Sequence, residues 1–294
     1  MTTPHLNPEV RHDIVFLFDV TDGNPNGDPD AGNRPRTDDE SGHGLVTDVA
    51  LKRKIRDTIA LAVGDDPRYG IFVQAGYALN PRLEASYEAT GLKLGKITPE
   101  EAARARAWLC DHYVDIRLFG AVMSVGKTGA LGQVRGPLQV GMARSIDPAV
   151  PVDHAITRVT QTRQEDIDKG ESTEMGSKWT IPYALYKVEI YYSATRGIQT
   201  GVTTRDLELF YSSLTMMFDH DRAATRGTLA PRGLYVFSHA NAFGSAPAHK
   251  LTERVQPRIL QHHTAIPPRK FGDYVVNIDA SDLPSGVDLT KLIS

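Results

Sequence analysis

Residues 22–36 concentrate side chains that hold cations or phosphates: Asp22, Asn24, Asn26, Asp28 and Asp30 at alternate positions, then Arg34 and Arg36. Oxygen ligands at alternate residues, with Gly27 available for a sharp turn, match the opening of a calcium loop. The match ends at Asn33, which stands where a bidentate Glu is needed, and the preceding segment reads as a strand instead of a helix. A second reading makes this loop a nest of Asx turns, with backbone amides that hold a phosphate or a neighbouring subunit. Asn24 and Asn26 are candidate RNA contacts on that reading. A third reading takes Asp19, Asp22, Asp28 and Asp30 as carboxylates that hold a divalent metal for RNA cleavage. A metal-dependent ribonuclease using Asp22 to Asp30 therefore stands as the alternative function.

The second group of charges lies on a helix. At about 100° per residue, Leu51, Ile55, Ile59 and Ala62 fall within an arc of roughly 80°, and Lys52, Arg53 and Arg56 occupy the neighbouring arc. Lysine and arginine stems there can lie on the core while their heads meet phosphates, or the face can simply be solvated. Residues 120–128 (GAVMSVGKT) invite a phosphate-loop reading, but Gly120 is one residue too far from Gly126-Lys127-Thr128. A turn between two strands, with Lys127 offering one phosphate contact, fits better. His262 and His263 are adjacent in a Pro-rich loop, and His239 and His249 have no acidic partner at zinc-ligand spacing. Cys110 is the single cysteine, which excludes an internal disulfide and reads as a small buried hydrophobe. No catalytic constellation, metal site or cofactor site is expected.

The elements that must position these groups follow from periodicity. Residues 13–20 (DIVFLFDV) alternate with both faces apolar, predicting a central strand. Residues 21–44 predict a long loop, and Thr47 caps the basic helix. Residues 64–112 predict a helical insertion whose second helix opens at Thr98-Pro99-Glu100-Glu101 and runs through Trp108. Residues 113–119 and 134–146 predict a pair of strands joined by a Gly-rich turn at 126–132. Residues 147–182 are polar and irregular and predict a projecting arm. Arg158 and Arg163 precede its acidic run, and Met175, Lys178 and Trp179 lie near its return. Residues 184–193 alternate as a strand, Thr203 or Thr204 caps a helix with the stripe Leu207, Phe210, Tyr211, Leu214, Met217 and Phe218, and residues 233–238 and 274–278 supply later strands. Without the two insertions the order approximates the β-α-β-β-α-β pattern of a ferredoxin-like or RNA-recognition-motif sheet, an α+β fold.

The 294 residues carry a net charge of −3 and are 40% hydrophobic, enough for a substantial core. Nothing approaches the roughly 20 apolar residues of a membrane span, and residues 1–11 lack the apolar stretch of a secretory signal, so a cytoplasmic protein is expected. The negative total counts against a simple electrostatic nucleic-acid binder, unless acidic and basic residues occupy different faces.

The strand-loop-helix unit DIVFLFDVTDGNPNGDPDAGNRPRTD and GHGLVTDVALKRKIRD, followed by DIRLFG, VRGPLQVG and RGLYVFSHANA, resembles the RAMP-type backbone subunit of CRISPR Cascade, particularly of type I-C. The resemblance covers most of the chain in motif order. It implies a hand-like subunit: a modified RNA-recognition-motif palm (residues 1–63, 113–146 and 183–294), helical fingers (64–112) and a thumb arm (147–182). It also implies that copies stack head to tail along a guide RNA (crRNA) in a non-catalytic role, each thumb displacing one base, while target DNA pairs with the guide. The further partners implied are the crRNA-processing RAMP subunit, the large subunit and the small subunit, with no membrane. Lys52, Arg53, Arg56, Arg34 and Arg36 would then grip guide phosphates, with Lys127, Arg135, Arg144, Arg163 and Lys178 as further contacts and Met175 as the thumb wedge. The chain lacks the aromatic signatures of ordinary RNA-recognition motifs, so binding is expected to rest on backbone and shape. Related type III subunits cut target RNA with an aspartate in the loop after an early strand; no equivalent aspartate is identified here.

Overall fold

The computed structural model describes residues 3–123, 131–170, 173–260 and 266–294. The predicted central strand is β1 (His12–Gly23), and every residue from His12 to Val20 is buried. Ile14, Phe16, Phe18 and Val20 enter one core, and Val15 and Leu17 enter another on the opposite face. The polar segment after it is folded. β2 (Gly27–Asp28) pairs with β3 (Arg34–Pro35), and β4 (His43–Val46) leads into α1 (Asp48–Val63). The Thr47 hydroxyl accepts from Ala50 N at 3.2 Å and so fixes the start of α1. The buried side of α1 is Leu51, Lys54, Ile55, Thr58 and Ile59, while Ala62, expected on that stripe, is exposed. Two polar side chains can be buried there because both are satisfied: Thr58 donates to Lys54 O, and Lys54 reaches Asp221.

α2 (Leu79–Ala89) and α3 (Pro99–His112) form a cluster of their own from Phe72, Leu83, Tyr87, Ala105 and Leu109, with Cys110 buried beside them. A Thr98–Glu101 capping box opens α3. Residues 113–119, expected as a strand, are instead the helix α4 (Val114–Phe119). Their alternation of charged and apolar residues imitates a half-solvated strand, yet all of Val114 to Phe119 is buried. Asp115 pairs with Arg56 and Arg117 with Asp206 inside the protein, so the period of two carried no information about inside and outside.

The expected strand over 134–146 is broken into β6 (Gln133–Arg135), β7 (Leu138–Val140) and β8 (Ala143–Pro148), with β5 (Gly120–Val122) pairing β6. Gly136-Pro137 and Gly141-Met142 interrupt it, and Pro137 has no N–H to offer a ladder. The arm, expected to be irregular, is an antiparallel ribbon: β9 (Val152–Arg158) pairs with the first part of β10 (Glu174–Tyr192), and α5 (Gln164–Asp168) lies between them. Every residue of β9 is exposed. A ribbon wet on both faces has no apolar alternation for a sequence to display, which is why it read as a loop. The second half of β10 runs on into the main sheet beside β1.

α6 (Ala194–Thr200) and α7 (Thr204–His220) follow, and Thr203 with Asp206 forms the capping box of α7. β11 (Thr228–His239), α8 (Ala248–Thr252), β12 (Val255–Ile259), β13 (Tyr274–Ile278) and β14 (Val287–Ile293) complete the chain. The main sheet is antiparallel in the order β14-β11-β1-β10-β8-β4, with β7 also on β10. Leu51, Ile55 and Ile59 of α1 and Leu207, Phe210, Leu214, Met217 and Phe218 of α7 cover one face. Leu251, Val255 and Tyr274 cover part of the other. The molecule is thus an α+β protein around a central antiparallel sheet. Among the described residues no helix is long and apolar enough to cross a membrane.

Candidate nucleic-acid interface

The basic arc of α1 is matched by carboxylates. Lys52 Nζ lies 3.0 Å from Asp48 one turn earlier, and its side chain is only 17% exposed. Arg53 bridges Asp57 at 2.8 Å and Asp221 at 3.3 Å. Arg56 Nε donates to Asp115 at 2.8 Å, and Asp115 also accepts from Phe72 N and Val73 N. Lys52 and Arg56 both lie over the Phe119 ring, at 5.9 and 5.3 Å. Lys54, which the sequence reading passed over, is buried against Asp221, and Arg226 binds the same carboxylate. Burial pushes the Lys54 ammonium below its usual range, and the Asp221 carboxylate opposes that shift. The signal for Lys54 was its place on the apolar side of the helix wheel.

The loop after β1 uses most of its polar groups on itself. Asn24 is buried, donating from its amide to Asn33 O at 2.7 Å and from its backbone to Thr225 O at 2.9 Å. Asn26 Oδ1 accepts from Thr47 N at 2.9 Å, tying the loop to the head of α1. Asp28 accepts from Asp30 N and from Arg36, and Asp38 accepts from Glu40 N, Ser41 N and Arg144. The Arg144 guanidinium, 2.6 Å from Asp38, is the main cause of that carboxyl being held down at about 2. Asx turns are present, but the amides they use face the loop's own carboxylates.

The four carboxylates considered for a metal are not brought together. Asp19 is buried inside the sheet, accepting from Tyr183 Oη at 2.9 Å and Arg232 Nε at 2.7 Å, and burial raises its pKa against the lowering effect of Arg232. Asp28 pairs with Arg36. Among the described residues no group of three His, Cys, Asp or Glu side chains is placed to hold a metal ion.

The arm meets the loop at its base. Arg34 is exposed and its guanidinium lies 5.6 Å from the Trp179 ring centroid. Lys178 Nζ donates to Ala224 O at 2.7 Å, anchoring β10 to the turn before β11. Farther out, Met175 is 79% exposed and pairs across the ribbon with Thr157. Arg163 is exposed where α5 begins. Arg135 is exposed at the end of β6 and makes no ion pair or side-chain hydrogen bond among the described residues. Lys127, the Gly-rich turn around it and the His262-His263 pair lie outside the described residues. Cys110 is buried, and burial raises its thiol to about 11.

The candidate contacts therefore fall into two kinds. Asn24, Asn26, Arg36, Lys52, Arg53, Arg56, Arg144 and Lys178 hold parts of the protein to one another. Arg34, Arg135, Arg163 and Met175 present free or nearly free surface.

The chain matches the family model described as CRISPR-associated protein Cas7 over residues 10–279. A curated relative, the "CRISPR-associated protein Cas7" of Haloferax volcanii, is 31% identical over 115 residues, which is 39% of this chain and 32% of the relative. The match thus spans about a third of that relative's length. Among solved structures, a chain of a "CRISPR RNA-guided surveillance complex, pre-nicking" shares 14% identity at a TM-score of 0.48, covering 77% of this chain and 78% of that one. A "CRISPR RNA-guided surveillance complex" chain has 14% identity and a TM-score of 0.46, covering 77% and 68%. A chain of a type III-B Cmr-beta complex bound to cognate target RNA has 11% identity and a TM-score of 0.42, covering 77% and 61%.

Proposed function

The chain belongs to the Cas7 family of CRISPR-associated proteins, and from that premise we propose that it is a non-catalytic, cytoplasmic subunit that polymerises along a crRNA. Its copies form the backbone of a type I-C surveillance complex in which target DNA pairs with the guide. The processing, large and small subunits are its neighbours in that assembly. The observation that carries this reading is the family match over residues 10–279.

The topology supports it. With β4, β7 and β14 set aside, the sheet order β11-β1-β10-β8, with α1 and α7 on one face, supports the reading as a ferredoxin-like or RNA-recognition-motif palm. On this reading α2 and α3 are the fingers and the β9-β10 ribbon is the thumb. Met175, far out on the ribbon, is its wedge, because an exposed apolar side chain on a projecting arm can enter a base step. Arg34, Arg135 and Arg163 meet guide phosphates, with Lys127 as a further contact, while Lys52 and Arg53 support that surface through their ion pairs. Arg36, Arg56, Arg144, Lys178, Asn24 and Asn26 serve the same surface by fixing its shape.

Purification from cells that contain the matching CRISPR array tests the proposal. A large, RNA-rich particle that collapses when ribonuclease is added and persists in the ribonuclease-free control is expected. A chain that elutes as a nucleic-acid-free monomer overturns it. Incubation with guide and complementary RNA plus Mg²⁺ or Mn²⁺ tests the passive role: cleavage lost on Asp22→Ala or Asp28→Ala would establish the ribonuclease instead.

A further inference from the structure

A cleft of about 450 Å³ opens between α3, β6 and α6. Ala103, Arg106, Ala107 and Cys110 line it from α3, Gln133, Val134 and Arg135 from β6, and Gln199 and Thr200 from α6. None of these residues is acidic. Ala103 and Ala107 are one helical turn apart and exposed, so the α3 wall is low and open. Gln133 and Arg135 share one face of β6 by the alternation of a strand, while Val134 packs toward the apolar cluster of α2 and α3.

Neither arginine is paired with a carboxylate among the described residues. Arg106 Nη1 donates to Leu131 O at 2.8 Å, a neutral acceptor that orients the guanidinium without cancelling it. Arg135 makes no ion pair or side-chain hydrogen bond among the described residues. Its position is set by the backbone: Gly120 pairs with Arg135, and Gly136 passes so close to the Phe119 carbonyl and Gly120 N that no Cβ fits. The Thr200 hydroxyl is turned back to Arg196 O, leaving Arg106, Arg135, Gln133 and Gln199 as the donors of the cleft. Two guanidinium groups with no carboxylate partner among the described residues, and two carboxamides, around a hollow that no described acid lines, form a receptor for an oxyanion. On α1, by contrast, Lys52, Arg53 and Arg56 each have a carboxylate within 3.0 Å.

The geometry points to this cleft as a phosphodiester site: it takes the sugar-phosphate backbone of a single-stranded RNA, with Arg106 and Arg135 on the phosphate and Gln133 and Gln199 at its edges. The identity of the strand rests on the guide-RNA reading; the anion chemistry does not. The fingers then bind RNA directly through Arg106 of α3, together with palm residues of β6 and α6.

The test is binding of a short, unstructured oligoribonucleotide to the full chain over a salt series. Each phosphate contact on a single strand contributes about 0.7 to the slope of log K against log salt. Arg135→Gln, an exposed substitution, is expected to lower the slope by about 0.7, and Arg106→Gln with Arg135→Gln by about 1.4. Arg135→Lys keeps the charge and is expected to keep the slope. Gln199→Glu, which places a carboxylate in the cleft, is expected to weaken binding most at low salt. A wild-type chain that binds no RNA overturns both the cleft and the guide-RNA reading. Wild-type binding whose slope Arg135→Gln leaves unchanged overturns the cleft alone. Arg135-dependent binding of poly-glutamate with an unchanged RNA slope overturns it in favour of an acidic protein segment.

Discussion

Arg117→Met is expected to destabilise the protein by about 4 kcal/mol, near the middle of the range for stripping one partner from a buried ion pair. Both Arg117 and Asp206 have fully buried side chains. The pair is bidentate, with Arg117 Nε 3.1 Å and Nη2 2.7 Å from the two Asp206 oxygens. Arg117 Nη1 also donates to Cys110 O at 2.5 Å, and Arg68 O and Asp111 O lie within 3.4 Å of the guanidinium. Those carbonyls lie near the two ends of the helical insertion, and Asp206 heads α7 on the sheet, so one guanidinium joins the insertion to the sheet layer. Methionine fills similar volume but leaves a buried carboxylate whose remaining donors are Thr203 N and Thr203 Oγ1. Each orphaned carbonyl adds about 1–3 kcal/mol unless water reaches it. Adding Asp206→Asn should recover on the order of 2 kcal/mol, because the amide keeps the capping acceptor and removes the buried charge. Urea unfolding followed by far-UV circular dichroism measures both. A loss below about 1 kcal/mol in Arg117→Met, or strict additivity in the double variant, would refute the assignment.

Two further predictions concern the same scaffold. Gly136→Ala is expected to cost about 1–3 kcal/mol in urea unfolding, because its Cβ would meet the Phe119 carbonyl group, and to flatten the RNA salt slope although Arg135 is retained. His12 sits between Ser238 Oγ and Asn7 O, and burial lowers its pKa from 6.5 to about 4. The unfolded chain then takes up a proton near pH 6.5 that the folded chain refuses until about pH 4, so stability should fall by on the order of 3 kcal/mol as pH drops through that window. Unfolding midpoints across the window check this, and His12→Gln should flatten the pH dependence.

The parts of the fold that were legible are those whose burial is one-sided or complete. β1 and α7 declared themselves because apolar side chains recur at two and at 3.6 residues, and the caps Thr47, Thr98 and Thr203 marked where helices begin. α4 was misread because its charges are buried and paired, and the ribbon because neither face of β9 is buried. The basic arc of α1 was visible, but its neutralisation was only half so. Asp48 and Asp57 lie one turn away, whereas Asp115 and Asp221 arrive from 59 and 168 residues along the chain, a separation no local spacing can reveal.

That neutralisation changes how an acidic chain can bind a polyanion. If Lys52, Arg53 and Arg56 were the main grip, a phosphate would have to compete with Asp48, Asp57 and Asp115 at contact distance, and for Arg56 with a partner whose side chain is 1% exposed. Displacing Arg56 would leave Asp115 buried without its cation, a loss no single phosphate contact repays. The carboxylates instead make α1 a rigid, nearly neutral support, and the net charge of −3 counts many acids already spent in this way. Positive potential then survives where, among the described residues, cations have no carboxylate: at Arg34 over Trp179, at Arg163 on the arm, and at Arg106 and Arg135 in the cleft. These sites lie on the loop, the arm, the insertion and β6, and off α1. On the proposed guide-RNA reading, a strand held by them follows the periphery of the subunit, and phosphate contact is decided by the absence of acids more than by the number of bases.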